Sequence, residues 1–509
     1  MSIVIGQSPL HLLLYCLNSA YSITPNVLWV NYIFNREQSQ MISRRTFLGS
    51  IAGGAAAMAL PPDLFLKKKG TARPNVILCM ADDLGWGDVG FNRNSIIKTV
   101  NLDAMAEAGL RFTRFYSGAP VCSPTRGSCL TGRHPYRYGI FFANVGHMRK
   151  EEITLAEALK TQGYVTGHFG KWHLGTLTIK EKDSNRGGPA GAKHYSPPWE
   201  NGFDVCFSTE AKVPTWNPMK EPKTNEPYGT FYWKEDGTKA AKNLDGDDSR
   251  VIMDRVIPFI RNAADEGRPF LAVIWFHTPH LPVVAGPEFR KMYSQYSEDE
   301  QHYYGCITAL DEQMGRLRRE LRAAGIAENT MLWFCSDNGP EGKDGKHGRT
   351  RGSAGPLRGR KRSLFEGGVR VPGLLEWPGR IKGGQVTDIP CCTSDYFPTV
   401  LDVLGFKMKG QPKPIDGISL LPLIEGKMTK RPVPIGFESG KQVSLTDNRY
   451  KLISLNKGKT YMLFDLIEDP GETKDLSAEK PDILRTMKTT LEKWRTSCKE
   501  SLAGKDYKS

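Results

Sequence analysis

The 509-residue chain has no C-x-x-C ladder, which excludes the usual structural zinc modules. Its 10 cysteines are too few for a dense disulfide framework, and the vicinal pair Cys391-Cys392 resists neat pairing. No internal repeat is visible, so a solenoid or propeller is not expected. The basic run Arg349–Arg362 lacks interleaved aromatics, and no DNA- or RNA-binding motif accompanies it, so no nucleic-acid partner is expected. Long apolar runs are scarce too. Thr46–Pro62 is uncharged but carries paired glycines and is a poor membrane span, so no stable span is expected in the mature chain.

What is present is ordinary globular material. Hydrophobic residues make up 39% and charged residues 24%, enough for a large core of two or three domains and too apolar for a disordered chain. The net charge of +14 attracts polyanions. By itself it leaves nucleic acid, anionic membrane and sulfated polysaccharide open.

Residues 1–71 read as an N-terminal extension and signal region. Ser43-Arg44-Arg45-Thr46-Phe47-Leu48 has the pattern of a twin-arginine export signal, and Ala57-Met58-Ala59 that of a cleavage site. Met41, just ahead of the motif, is an alternative start; an anchor over Leu10–Phe34 is the competing reading, weakened by Pro25. The expected location is periplasmic or extracellular, in a bacterium.

Three short apolar runs end abruptly in polar residues: Asn75–Met80, Phe270–Phe276 and Met331–Cys335. They read as buried strands, and the helical stretches between them, such as Leu155–Lys160 stopping near Gly163, predict an α/β fold with a mostly parallel sheet between helices. Such a fold puts its chemistry beyond the carboxyl ends of the strands. Those ends carry Asp82-Asp83, His277 to His280 and Asp337-Asn338. Residues 72–430 form the expected catalytic domain, in which the polar, poorly periodic Lys212–Asp248 is an insertion near the site entrance. Residues 431–509 form a small C-terminal domain, with antiparallel strands at Tyr450–Ile453 and Tyr461–Phe464. Its helix carries Leu484, Met487, Leu491 and Trp494 on one face.

Cys122-Ser123-Pro124-Thr125-Arg126 predicts a helix capped by Ser123 and ending near Gly132, with Cys122 just outside its N-terminus. Arg126 lies in the first turn, where a cation opposes the helix dipole; a tetrahedral oxyanion ligand would explain it. In isolation such a five-residue match is ordinarily a buried cysteine before a capped helix. Asp82-Asp83 and Asp337-Asn338 shift the balance, because adjacent carboxylates at a strand end need a cation. Four oxygen donors favour Ca²⁺ or Mg²⁺ over zinc. Lys171 and His173, in Gly170-Lys171-Trp172-His173-Leu174-Gly175, point to one side if the segment is extended.

Together these segments resemble the formylglycine-dependent sulfatases of arylsulfatase type. The resemblance runs from about Asn75 to Leu476 and rests on C-x-P-x-R with Leu130-Thr131-Gly132-Arg133, on the Gly170–Gly175 segment, on Glu366-Gly367-Gly368-Val369-Arg370-Val371-Pro372, and on Asp469-Pro470-Gly471-Glu472. It implies an alkaline-phosphatase-like fold with a small C-terminal sheet domain. It implies one Ca²⁺ held by Asp82, Asp83, Asp337 and Asn338 beside Cys122, the residue that a separate maturation enzyme oxidises to formylglycine. It further implies that Arg126, Lys171, His173, His280 and Lys361 surround the sulfate. His280 is preferred to His277 because it directly precedes an x-Pro pair, Leu281-Pro282. The nucleophile implied is a formylglycine gem-diol, activated by the metal and Asp337. His280, with Lys361, protonates the leaving alcohol; His173 takes the last proton.

The expected partner is a sulfated carbohydrate or an aryl sulfate. Two other readings compete: a phosphoester hydrolase of the same superfamily, and a non-catalytic sulfated-glycan binding protein.

Overall fold

The structure, a computed structural model, describes residues 73–507. The expectations for residues 1–71 lie outside the described residues. Fifteen strands follow in chain order: β1 (Asn75–Ala81), β2 (Leu110–Phe112), β3 (Phe115–Tyr116), β4 (Val165–Lys171), β5 (Val205–Thr209), β6 (Phe270–Trp275), β7 (Thr330–Ser336) and β8 (Arg370–Val371), then β9 (Gly373–Glu376), β10 (Gln385–Thr387), β11 (Cys391–Cys392), β12 (Ile435–Ser439), β13 (Gln442–Thr446), β14 (Tyr450–Ser454) and β15 (Met462–Asp465).

Eight of them form the central sheet in the order β10-β2-β9-β7-β1-β6-β4-β5. β5, β4, β6, β1 and β7 run parallel, and β9 is antiparallel to both its neighbours. The apolar runs fit this place because both faces are covered. Val76, Leu78 and Met80 of β1 face one core with Leu271 and Trp333, while Ile77 and Cys79 face the other with Ile274 and Phe334. Each such fully buried side chain contributes roughly 1.5–3 kcal/mol. Helices Asp248–Asp265 and Glu298–Ala323 cover the second face. Helix Cys122–Thr131 sends Cys129 and Leu130 into the first. The expected mixed, mostly parallel sheet between helices is therefore present.

β12 to β15 form a separate antiparallel sheet in sequence order. One face carries Phe437, Ile453 and Phe464 against Tyr116, Leu364 and Val369 of the main body. The other packs Val443, Leu445 and Leu452 on Met487 and Leu491 of helix Pro481–Leu502, with Leu484 and Trp494 at its margin. Residues 73–507 belong to one compact unit. Nine cysteines among the described residues are free and buried. The Lys212–Asp248 segment is anchored to the main body. Its Tyr232 ring stacks on Phe207 of β5, centroids 3.9 Å apart, and its buried Trp233 donates to Asp183. Among the described residues no helix is long and apolar enough to cross a membrane.

Candidate active site

Parallel register puts the carboxyl ends of β1, β4, β6 and β7 along one edge: Ala81 is level with Ser336, Met80 with Trp275, and Gly170 with Trp275. The chain leaves β1 through Asp82 and Asp83. Asp83 takes a left-handed backbone, φ 69°, costly for a residue with a Cβ and held here by its surroundings. Its N–H donates to Asp337 Oδ1 at 3.1 Å, and Asp337 N–H donates to Ala81 O at 3.1 Å, which locks the two strand exits together. The Gly367-Gly368 pair comes in beneath: Gly339 N–H donates to Gly368 O, and a Cβ on Gly339 would collide with Gly367 O.

Cys122 enters from the other side. It is the first residue of helix Cys122–Thr131, and the N-cap is Val121; Ser123 does not cap, and its buried hydroxyl has no partner. The expectation that Ser123 caps the helix is corrected. Pro124 lies in the first turn, where no N–H is required, and the helix starts two residues earlier than its Ser-Pro signature suggests. Gly132 ends the helix with φ 70°, as expected. Burial pushes the Cys122 thiol up to about 12, against the pull of Lys171 and Lys361, so the protein keeps it protonated.

Arg126 is fully buried. Its Nη2 lies 2.7 Å from Asp337 Oδ2 and 3.5 Å from Asp82 Oδ2; its Nη1 donates to Lys171 O at 3.0 Å. Lys171 Nζ is 2.6 Å from Asp82 Oδ2. Lys361 Nζ is 2.6 Å from Asp83 Oδ1 and 3.3 Å from Glu341 Oε2. Burial works against the charge on Asp82, but Lys171, His280, Arg126 and Lys361 outweigh it and hold its pKa well below the carboxylate range. Asp337 is the reverse case: burial, reinforced by the charge on Asp82, raises it to about 7 despite Arg126.

Two histidines face this cluster and one does not. His280 Nδ1 donates to Leu281 O at 2.6 Å, which leaves Nε2 bare, 3.6 Å from Asp83 Oδ2. Burial lowers it to about 4, with Asp83 opposing. His173 has φ 60°, so the segment after β4 is not extended, and Lys171 and His173 do not share a side by strand alternation as the sequence suggested. His173 Nε2 pairs instead with Asn144 Oδ1 at 2.9 Å, and burial with Lys171 and Arg186 holds the ring well below its ordinary pKa. His277 is bound between Asp248 and Thr209, both at 2.8 Å, and serves the scaffold.

Ligand atoms of Asp82, Asp83, Cys122 and His280 all lie within 4.8 Å of one another. Asn338 Nδ2 donates to Asp83 Oδ1 at 2.7 Å. Around them Asp82 Oδ1, Asn338 Oδ1, Ser123 Oγ, Arg126 Nε and His173 Nδ1 are buried without a partner. Buried polar atoms are ordinarily satisfied, so five orphans in one cluster fit a bound cation and anion. Sequence reasoning missed three residues here: Asn144 on His173, Glu341 on Lys361, and Lys212, whose pKa burial lowers together with Lys171 and Lys361. None has a motif of its own; only the folded loops bring them in.

Comparison with known proteins agrees with this geometry. The sulfatase family model matches residues 74–406, and the model for the C-terminal region of N-sulphoglucosamine sulphohydrolase matches residues 359–497. The chain is 32% identical to arylsulfatase G of Rattus norvegicus over 381 residues, 70% of this chain and 69% of that one. It is 30% identical to N-acetylgalactosamine-6-sulfatase of Mus musculus over 397 residues, 74% of this chain and 71% of that one. The solved structure of Ps i-CgsB in complex with k-i-k-neocarrahexaose superposes with a TM-score of 0.71 at 27% identity, covering 83% of this chain and 92% of that one. This chain belongs to the sulfatase family and is a sulfuric ester hydrolase.

Proposed function

We propose that the enzyme removes sulfate from sulfated oligosaccharides or polysaccharides after Cys122 has been oxidised to formylglycine by a separate maturation enzyme. One observation carries the reading: Asp82, Asp83, Asp337, Arg126, Lys171 and Lys361 converge at the N-terminus of the helix that begins with Cys122. Asp82, Asp83, Asp337 and Asn338 hold one Ca²⁺ beside residue 122. When present, the formylglycine supplies the attacking oxygen and the Ca²⁺ a fixed charge that offsets the anionic sulfuryl group.

The chain's own residues do the rest. Arg126, Lys171 and Lys361 bind the sulfuryl oxygens; all three are buried, where such donors are worth most. His280 keeps Nδ1–H on Leu281 O, which aims Nε2 at the departing alcohol oxygen; it gives that oxygen a proton from the imidazolium, in which Nε2 carries the second proton, and returns to the neutral ring. His173, with Nε2 occupied by Asn144, offers bare Nδ1 to accept a proton. Asp337, 2.7 Å from Arg126 Nη2, orients that guanidinium toward the sulfuryl group, and a cation at the site would keep its carboxylate ionised. Similarity to an N-acetylgalactosamine-6-sulfatase and to Ps i-CgsB, solved in complex with k-i-k-neocarrahexaose, supports a carbohydrate substrate. The twin-arginine segment supports export to the periplasm or beyond, and the sequence pattern supports a catalytic domain over 72–430 with a C-terminal domain over 431–509.

The test compares turnover of a chromogenic aryl sulfate with that of the matching phosphate, followed by a panel of defined sulfated sugars. Sulfate ester cleavage is expected to dominate. Turnover of the phosphate alone would overturn the reading.

A further inference from the structure

We infer that a cleft beside the sulfate pocket binds the sugar unit adjoining the sulfated one, so that the enzyme recognises a stretch of sulfated chain rather than a lone sulfate ester. The inference rests on the sulfated-carbohydrate reading above. The cleft has a volume of about 470 Å³ and is lined by Phe142, Arg362, Phe365, Lys441, Gln442 and Leu455. That volume lies within the range of about 300–1,000 Å³ typical of small-molecule sites.

Its position is fixed by its neighbours. Arg362 directly follows Lys361, whose Nζ is 2.6 Å from Asp83. Phe142 is two residues from Asn144, which holds His173. Glu341 joins the two, 3.3 Å from Lys361 Nζ and 2.6 Å from Arg362 on the cleft wall, so a ligand that presents a sulfate to Lys361 borders this cleft. The walls are preformed. Gly440 N–H donates to Tyr136 Oη at 2.9 Å, Tyr136 meets Phe141 edge to face at 4.9 Å, and Gln442 joins Arg362 O and Leu364 N–H across the gap.

Its chemistry is mixed in a way that suits a sugar. Phe142 is 39% exposed and Leu455 43%, and Val145, bridged to Phe142 across the turn, is 45% exposed. Large apolar side chains left in water beside a catalytic centre call for a partner. The C–H face of a pyranose packs on such an aromatic ring, while its anionic substituents need a cation. Arg362 is engaged by Glu341 at 2.6 and 2.9 Å, and Lys441 stands exposed at the rim. The overall charge of +14 favours the same polyanionic occupant. A purely apolar peptide would fill the floor of the cleft and leave Lys441 unused.

The experiment measures kcat/KM for the mature enzyme on hexasaccharides prepared from chondroitin sulfate and from carrageenan, and on a chromogenic aryl sulfate too small to reach the cleft. Phe142→Ala and Lys441→Ser should each lower kcat/KM on the hexasaccharide that the enzyme cleaves by about tenfold, mainly through KM, and leave the aryl sulfate unchanged. Phe142→Tyr should restore the hexasaccharide rate. Equal losses on both substrates, or no loss on the hexasaccharide, would overturn the subsite. A wild-type enzyme that cleaves aryl sulfate but neither hexasaccharide would overturn the subsite and leave the sulfatase assignment standing. One that cleaves none of the three would remove the reading on which the subsite rests.

Discussion

Lys451 is the cleanest place to perturb the link between the C-terminal sheet and the catalytic loops. It lies in β14 with its side chain fully buried, Nζ 3.0 Å from Glu366 Oε1 and 3.2 Å from Glu472 Oε1. Glu472 accepts the Glu366 N–H at 2.6 Å, and its carbonyl accepts from Arg358 at 3.0 Å. These bonds tether both ends of the segment that carries Lys361. Replacing Lys451 by Met keeps the volume and leaves two buried carboxylates facing each other. Breaking a buried ion pair from one side costs about 3–5 kcal/mol.

The sign of the pH dependence follows from Glu472. Burial, opposed by Lys451 and reinforced by Glu366, raises it from 4.5 to about 7. A carboxyl raised in the fold holds a proton that the unfolded chain releases, so its contribution falls as pH rises through that window. Lys451 lowers both carboxyls, holding Glu366 below its ordinary pKa, so without it both shift upward. Urea denaturation of Lys451→Met should therefore show its largest deficit near about pH 8 and a smaller one near about pH 5, where a proton sits between Glu366 and Glu472. Adding Glu472→Gln should recover a large part of the loss, a coupling within about 0.5–3 kcal/mol. A single variant within about 1 kcal/mol of wild type at the higher pH, or a deficit that grows on acidification, would refute the reasoning.

Three further outcomes are expected. Arg126→Ala should weaken both binding and turnover, with kcat lower by about 10²–10³, because Asp82 and Asp337 then face the anionic substrate uncompensated; steady-state kinetics with a chromogenic sulfate checks this. Exhaustive chelation should abolish turnover and Ca²⁺ should restore it better than Zn²⁺, given the oxygen donors Asp82, Asp83, Asp337 and Asn338; full activity with no metal by elemental analysis would contradict it. Replacing Arg44-Arg45 by Lys-Lys should leave the protein in the cytoplasm, measured by fractionation; normal export of the double variant would remove the twin-arginine assignment.

The strands that carry the site were legible because a buried parallel strand advertises itself twice, in an unbroken apolar run and in the abrupt polar residues at its end. β1, β6 and β7 all have that form, and Asp82, Asp83, Asp337 and the choice of His280 over His277 followed from strand ends and motif. β12 and β13 were not seen. They are short, half-polar and joined by a tight Gly440 turn, and their burial comes from tertiary contact with Tyr116 and Leu364. The Ser123 cap failed for a local reason, since Cys122 itself takes the first helical position. Asn144, Glu341 and Lys212 were invisible because long-range loop packing, not periodicity, brings them to the site.

The account depends most directly on the chemical state of residue 122. Mass spectrometry of the Cys122 peptide from catalytically active protein should find an aldehyde in place of the thiol in part of the population. The same gene expressed without the maturation enzyme should give folded, nearly inactive protein with the thiol intact. Cys122→Ala should bind sulfated ligand without turning it over, because Arg126, Lys171, Lys361 and the metal site remain. A fully active preparation in which Cys122 is wholly unmodified would contradict the formylglycine account.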